Sequence, residues 1–85
     1  MANADPAERD LVEKIARGDE EAFERIVLNY ESRLLAFMTK VSGDPNVARE
    51  VAQEAFVKAF FKADSFNYRC SFFTWLCEIA VRKFF

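Results

Sequence analysis

The residues best suited to chemistry in this chain of 85 residues lie in one irregular segment near its end. The segment brings amide, ring, guanidinium and hydroxyl groups together in Asn67, Tyr68, Arg69 and Ser71. It lies in an aromatic and basic stretch that runs from Phe56 to Phe85. Aromatic rings stack on unpaired bases, which is worth about 1–3 kcal/mol per base, and Lys or Arg neutralises phosphate. A base that leaves the stack also needs several groups to match its edge. The segment is therefore a candidate nucleic-acid site, and the alternative is a surface loop with ordinary turn chemistry.

Catalytic groups are poorly represented in the sequence. The chain has no His and only two Gly, so it has no imidazole base and no glycine-rich phosphate loop. Its paired carboxylates suit other tasks, since Glu20 and Glu21 fit a helix N-terminus and Glu50 and Glu54 fit an exposed ridge. Two Cys are too few for a disulfide framework or, without His, for a zinc site. We therefore expect a binding module that is not an enzyme and has no cofactor, metal or small-molecule substrate.

Charge is distributed unevenly along the chain. Residues 1–57 carry 7 Lys/Arg and 12 Asp/Glu, a net charge of −5, whereas residues 58–85 carry 5 and 2, a net charge of +3. An acidic body with a basic end favours contact with a polyanion. No apolar run approaches the roughly 20 residues that span a bilayer, and residues 1–10 lack the apolar centre of a signal peptide. We therefore expect a cytoplasmic protein with no membrane partner.

Apolar periodicity predicts an all-α fold, a compact bundle of about four helices that forms one domain over residues 1–85. Helix one is predicted to begin with Asp5 as its cap and Pro6 as its first residue. Helix two is predicted to begin after Asp19 and to end at Gly43. Both starts depend on a short polar side chain that accepts a hydrogen bond from the first turn.

Helix three is predicted from about residue 45 to residue 63. Its small side chains fall in one arc that lets a neighbouring helix approach closely: Ala48, Ala52, Ala55, Ala59 and Ala63. The opposite face mixes acidic, amide and apolar groups, a composition typical of a protein-docking surface, in Glu50, Gln53, Glu54, Val57, Phe60 and Phe61. The alternative is that Phe60 and Phe61 pack under helix four.

The segment from residue 64 to residue 71 has no helical period and carries a capping residue at each end. Helix four is predicted from Phe72 to at least Lys83. Its predicted core face consists of Phe72, Trp75, Leu76 and Ile79. Glu78 and Arg82 stand in the order that favours a helical ion pair of about 0.2–0.5 kcal/mol. The sequence stops at Phe85 within a helical pattern, so we expect the natural chain to continue into a further domain.

Five stretches, in this order and spacing, resemble region two of a bacterial sigma factor. They are DEEAF at 19–23, GDP at 43–45, VAQEAFVKAF at 51–60, SFFTWL at 71–76 and IA at 79–80. The similarity is greatest to the extracytoplasmic-function group and extends over about residues 11–82. It implies an all-α domain that binds core RNA polymerase and recognises and melts the promoter minus-ten element in transcription initiation. It also implies an anti-sigma factor as a partner.

The resemblance implies two binding surfaces. Helix three of the family docks on the clamp helices of the largest polymerase subunit, and the corresponding surface here consists of Glu50, Gln53, Glu54, Val57, Phe60 and Phe61. The loop before the last helix captures a base flipped from the non-template strand. The corresponding DNA-binding residues here, with the helix that follows, are Asn67, Tyr68, Arg69, Cys70, Ser71, Thr74, Arg82 and Lys83.

Departures from the family pattern leave a second hypothesis open. Val47 and Arg49 stand where acids usually precede the Gln-Glu pair, and Glu78 replaces a frequent basic residue. Tyr68 and Arg69 replace the usual Gly and acid of the loop, so the base that is read can differ. The alternative function is a helical protein-interaction adaptor that retains the fold without promoter reading.

Overall fold

The computed structural model describes residues 6–85, and this part of the chain contains four α-helices. They are α1 (Pro6–Ala16), α2 (Glu20–Ser42), α3 (Pro45–Lys62) and α4 (Phe72–Phe84), with a short 3-10 helix at Ala63–Ser65. The predicted all-α fold is confirmed. The predicted cap at Asp5 lies outside the described residues. None of the helices in this part of the chain is long and apolar enough to cross a membrane.

The predicted helix starts and stops are produced by local side-chain chemistry. The Asp19 carboxylate accepts a hydrogen bond from the Ala22 amide at 3.1 Å, and Asp44 does the same for Asn46 at 2.9 Å. Such caps satisfy amides that have no partner within the helix. Gly43 ends α2 at φ 76°, a left-handed conformation that glycine adopts without a steric penalty.

The core forms where α3 packs between α2 and α4. The alanine stripe of α3 is buried throughout, so the backbones of the neighbouring helices approach it closely. Large side chains of the flanking helices fill the remaining space, and Leu34, Met38 and Leu76 are fully buried. Each such side chain stabilises the fold by about 1.5–3 kcal/mol relative to an exposed position.

The segment between α3 and α4 differs from the sequence-based prediction at its start. The chain continues from α3 into the 3-10 helix, so Asp64 lies within a helical turn and does not begin an irregular loop. This turn directs Phe66 into the core, where it is 7% exposed. Trp75 packs against the core as predicted, but at its rim: the residue is half-buried, with its ring 5.1 Å from that of Phe66.

The aromatic residues at the end of α3 do not pack under α4. Phe60 makes an edge-to-face contact with Phe23 of α2, with ring centroids 5.0 Å apart. Phe61 points to solvent and is 75% exposed. The alternative in which both rings pack under the last helix is therefore wrong.

Candidate functional site

The face of α3 opposite the alanine stripe is exposed. Glu50, Gln53, Glu54, Val57 and Phe61 recur at three- and four-residue steps, so their side chains share one side of the helix. All five are exposed, and Val57 remains 52% exposed although it is apolar. We call these five residues, with Phe60 at their edge, the docking face. Exposed apolar side chains next to acids are typical of a surface that a partner covers.

The apolar end of the docking face extends onto α2. A groove of about 360 Å³ is lined there by Phe60, Phe61 and Val57 of α3 and by Glu20, Phe23 and Glu24 of α2. The ring of Phe61 stands nearly perpendicular to that of Phe60, with centroids 5.2 Å apart. The sequence reasoning missed the three α2 residues, because nothing in the sequence says which helix lies beside Phe60.

One residue predicted to bind DNA lies beside the docking face. The ammonium of Lys83 is 3.6 Å from the Glu54 carboxylate, and both side chains are partly exposed. Both residues also line one shallow groove with Gln53 and Val57. An exposed pair of this kind contributes between about 0 and 1 kcal/mol, so a ligand at either surface can displace it.

The segment at residues 67–71, which we call the recognition loop, presents Asn67 and Arg69 to solvent. The Asn67 side-chain oxygen accepts a hydrogen bond from the Arg69 amide at 3.1 Å, which closes a turn around Tyr68. Tyr68 is half-buried, with its ring 4.6 Å from that of Phe66. The guanidinium of Arg9, from α1, lies 4.2 Å from the centre of the Tyr68 ring.

The Tyr68 phenol titrates at higher pH than an ordinary tyrosine. Burial raises its pKa above the usual 10.0, the charge of Glu13 raises it further, and Arg9 opposes both effects. The hydroxyl therefore stays protonated at neutral pH.

The last part of the recognition loop has a structural task. The Ser71 hydroxyl accepts a hydrogen bond from the Thr74 amide at 3.1 Å, which is the cap that begins α4. The same hydroxyl donates to the exposed side chain of Thr74 at 2.9 Å. Cys70 is a half-buried free thiol. These contacts fix where the recognition loop joins α4.

A cluster of three cations lies where α3 meets α4, and of these the sequence predicted only Arg82 as a binding residue. Lys58 and Lys62 of α3 and Arg82 of α4 line a pocket of about 210 Å³ together with Ser65, Trp75 and Ile79. We call these six residues the basic pocket. The sequence shows the four-residue spacing of the two lysines, but it does not show that Trp75 and Arg82 lie beside them.

The ion pair predicted between Glu78 and Arg82 does not form. No ion pair within 4.0 Å joins these two residues in the described part of the chain, so that prediction is wrong.

Comparison with known proteins shows the family. Residues 26–85 match the model of Sigma-70 region 2. The chain is 39% identical over 74 residues to the RNA polymerase sigma-H factor of Pseudomonas aeruginosa, which covers 87% of the chain and 38% of that protein. It is 40% identical over 73 residues to the ECF RNA polymerase sigma-E factor of Escherichia coli K12, which covers 84% and 37%.

The chain thus spans less than two fifths of the length of these curated relatives. No solved structure matches it at a significant level. The family match covers α3, the recognition loop and α4, which carry all the predicted site residues. The predicted family is therefore confirmed: the chain belongs to the sigma-70 region 2 family and is of the extracytoplasmic-function type.

Proposed function

We propose that this domain docks on core RNA polymerase, recognises the promoter minus-ten element as a single strand and helps to melt it for transcription initiation. One observation carries the proposal. In a chain of this family, an acidic and apolar face on α3 is exposed, a basic pocket with an aromatic ring lies between α3 and α4, and the loop before α4 exposes Asn67 and Arg69. The two surfaces differ in charge and in apolar content, which suits a protein partner at one and DNA at the other.

The docking face supplies the contacts that a helical partner needs. Val57 and Phe61 offer apolar area that water now covers, and burial of such area contributes at most about 25 cal/mol per Å² to the stability of a complex. Gln53 and Glu54 border this area and can hydrogen-bond to basic or amide groups of the polymerase clamp helices. An anti-sigma factor that covers the same face would compete with the polymerase.

The recognition loop and the basic pocket supply two different contacts to DNA. Asn67 and Arg69 carry donors and an acceptor at an exposed turn, where a flipped base can be matched along its edge. Lys58, Lys62 and Arg82 can neutralise the phosphates of the same strand. The half-buried Trp75 ring lines the same pocket and offers a surface on which a base can stack.

The polymerase half of the proposal is tested by binding to a fragment that contains the clamp helices. We expect Gln53→Ala and Glu54→Lys to weaken binding while the helical circular dichroism spectrum stays that of the parent, because both side chains are exposed. If the parent chain shows no binding at micromolar concentrations, the docking assignment is wrong.

The DNA half is tested by a scan of single-stranded minus-ten oligonucleotides in which each base is replaced in turn. We expect a preference at one position, with weaker binding for Asn67→Ala and Arg69→Ala and a strong dependence on salt. Equal binding to every oligonucleotide would favour the adaptor function. That second candidate is motivated by Tyr68 and Arg69, which replace the usual Gly and acid of the family's loop.

A further inference from the structure

The conformation of Tyr68 depends on a contact with a distant helix. Its φ of 62° lies in the left-handed region, and no other non-glycine residue in the described part of the chain has a positive φ. A side chain at such a position crowds its own backbone, so the conformation persists only where other contacts hold it. The ring contacts with Phe66 and with the Arg9 guanidinium are such contacts.

The helix that carries Arg9 is attached to the rest of the fold, and the Arg9 side chain has an exposed ion pair on it. The Glu13 carboxylate, one helical turn further on, lies 3.5 Å from the Arg9 guanidinium. Helix α1 also packs against the 3-10 helix that precedes the loop. A hydrogen bond from the Tyr30 hydroxyl to the Glu8 carboxylate attaches α1 to α2. The cation above Tyr68 therefore belongs to a fixed part of the fold.

The residues on either side of Tyr68 are the exposed ones of the recognition loop. Asn67 and Arg69 are joined by the hydrogen bond that closes the turn, so a rotation of Tyr68 moves both of them. The directions in which Asn67 and Arg69 face consequently depend on the position of the Tyr68 ring.

We propose that Arg9 is a positioning residue for base recognition. Its guanidinium holds the ring of Tyr68 in position, and this contact fixes the directions in which Asn67 and Arg69 face a bound base. The proposal rests on the proposed reading of a base by this loop. It gives a role to α1, which precedes the residues 26–85 that match the family.

The test compares three variants of the 85-residue chain in the scan of substituted oligonucleotides. Arg9→Gln removes the cation, and Arg9→Lys keeps a positive charge that can still lie over the ring. Lys14→Gln is the matched control, since it breaks an exposed four-residue ion pair on the same helix, between Lys14 and Asp10 at 3.2 Å. The Arg9 side chain is 52% exposed, so none of these changes opens the core.

We expect Arg9→Gln to reduce the preference for the favoured base by about two- to fivefold, the range that loss of an exposed cation–π contact implies. Arg9→Lys should restore most of the preference, and Lys14→Gln should leave it unchanged. Amide exchange of residues 67–70, measured by NMR, should accelerate by a similar factor in Arg9→Gln only.

The outcomes separate this proposal from the proposed function. If the parent chain shows no base preference, base reading and the role of Arg9 are both overturned. If the parent has a preference that Arg9→Gln leaves intact, only the role of Arg9 is overturned. Uniformly weaker binding to all oligonucleotides by Arg9→Gln, with unchanged amide exchange, would make Arg9 a phosphate contact and would also overturn the proposal.

Discussion

Replacement of Phe61 by Ala tests whether the apolar end of the docking face binds the polymerase. A Phe side chain buries about 150–250 Å² when a partner covers it. Because Phe61 is 75% exposed in the unbound domain, roughly 110–190 Å² of this area remains to be covered. At about 25 cal/mol per Å², the upper limit of its contribution to binding is about 3–5 kcal/mol.

Ordering of the interface and imperfect packing reduce this limit. We expect Phe61→Ala to weaken binding to the clamp-helix fragment by about 2 kcal/mol, or about 30-fold in Kd. The free energy of unfolding should change by no more than about 0.5 kcal/mol, because the exposed ring supports little of the core. Isothermal titration calorimetry measures the first quantity and urea denaturation the second.

Two control variants make the result specific. Leu28→Ala removes another apolar side chain that is 75% exposed, on α2 and outside the docking face, and should leave Kd unchanged. Phe56→Ala removes a ring of α3 that is only 5% exposed and should destabilise the fold by about 3–5 kcal/mol. The reasoning is refuted if Phe61→Ala binds as tightly as the parent, or if Leu28→Ala weakens binding as much as Phe61→Ala does.

Three further predictions concern the basic pocket and Tyr68. Lys62→Gln should remove one phosphate contact, so the slope of log K against log salt for single-stranded DNA should become shallower by about 0.7. An unchanged slope would show that Lys62 does not contact the DNA. Tyr68→Ala should be less stable than Tyr68→Gly by about 1 kcal/mol in urea denaturation, because only glycine adopts the left-handed φ without strain. The pKa of Tyr68 is raised above 10.0 in the folded state. The contribution of the protonated phenol to the free energy of unfolding is therefore complete below the pKa of the unfolded state, and it declines as the pH rises through the pKa of the folded state. Tyr68→Phe should therefore unfold with a weaker pH dependence in that range, and an identical profile would contradict the assignment.

The fold could be predicted from the sequence where short-range signals decide it. Asp19, Gly43 and Ser71 mark helix ends because each acts on backbone groups within a few residues. The alanine stripe and the exposed face of α3 follow from the helical period, which places side chains three and four residues apart on one side. The family could be recognised because its motifs lie in such contiguous stretches.

Only the tertiary structure decided which residues meet across helices. Lys62 and Arg82 share a pocket, the Arg9 guanidinium lies over the Tyr68 ring, and Lys83 pairs with Glu54, although each pair is far apart in the sequence. A helical period gives the direction of a side chain from its own axis, but neither the neighbouring helix nor the angle at which it packs. The recognition loop shows the difference most clearly, since its residues were found in the sequence, whereas its Tyr68 ring contacts Arg9 of a helix that begins some sixty residues earlier, at Pro6.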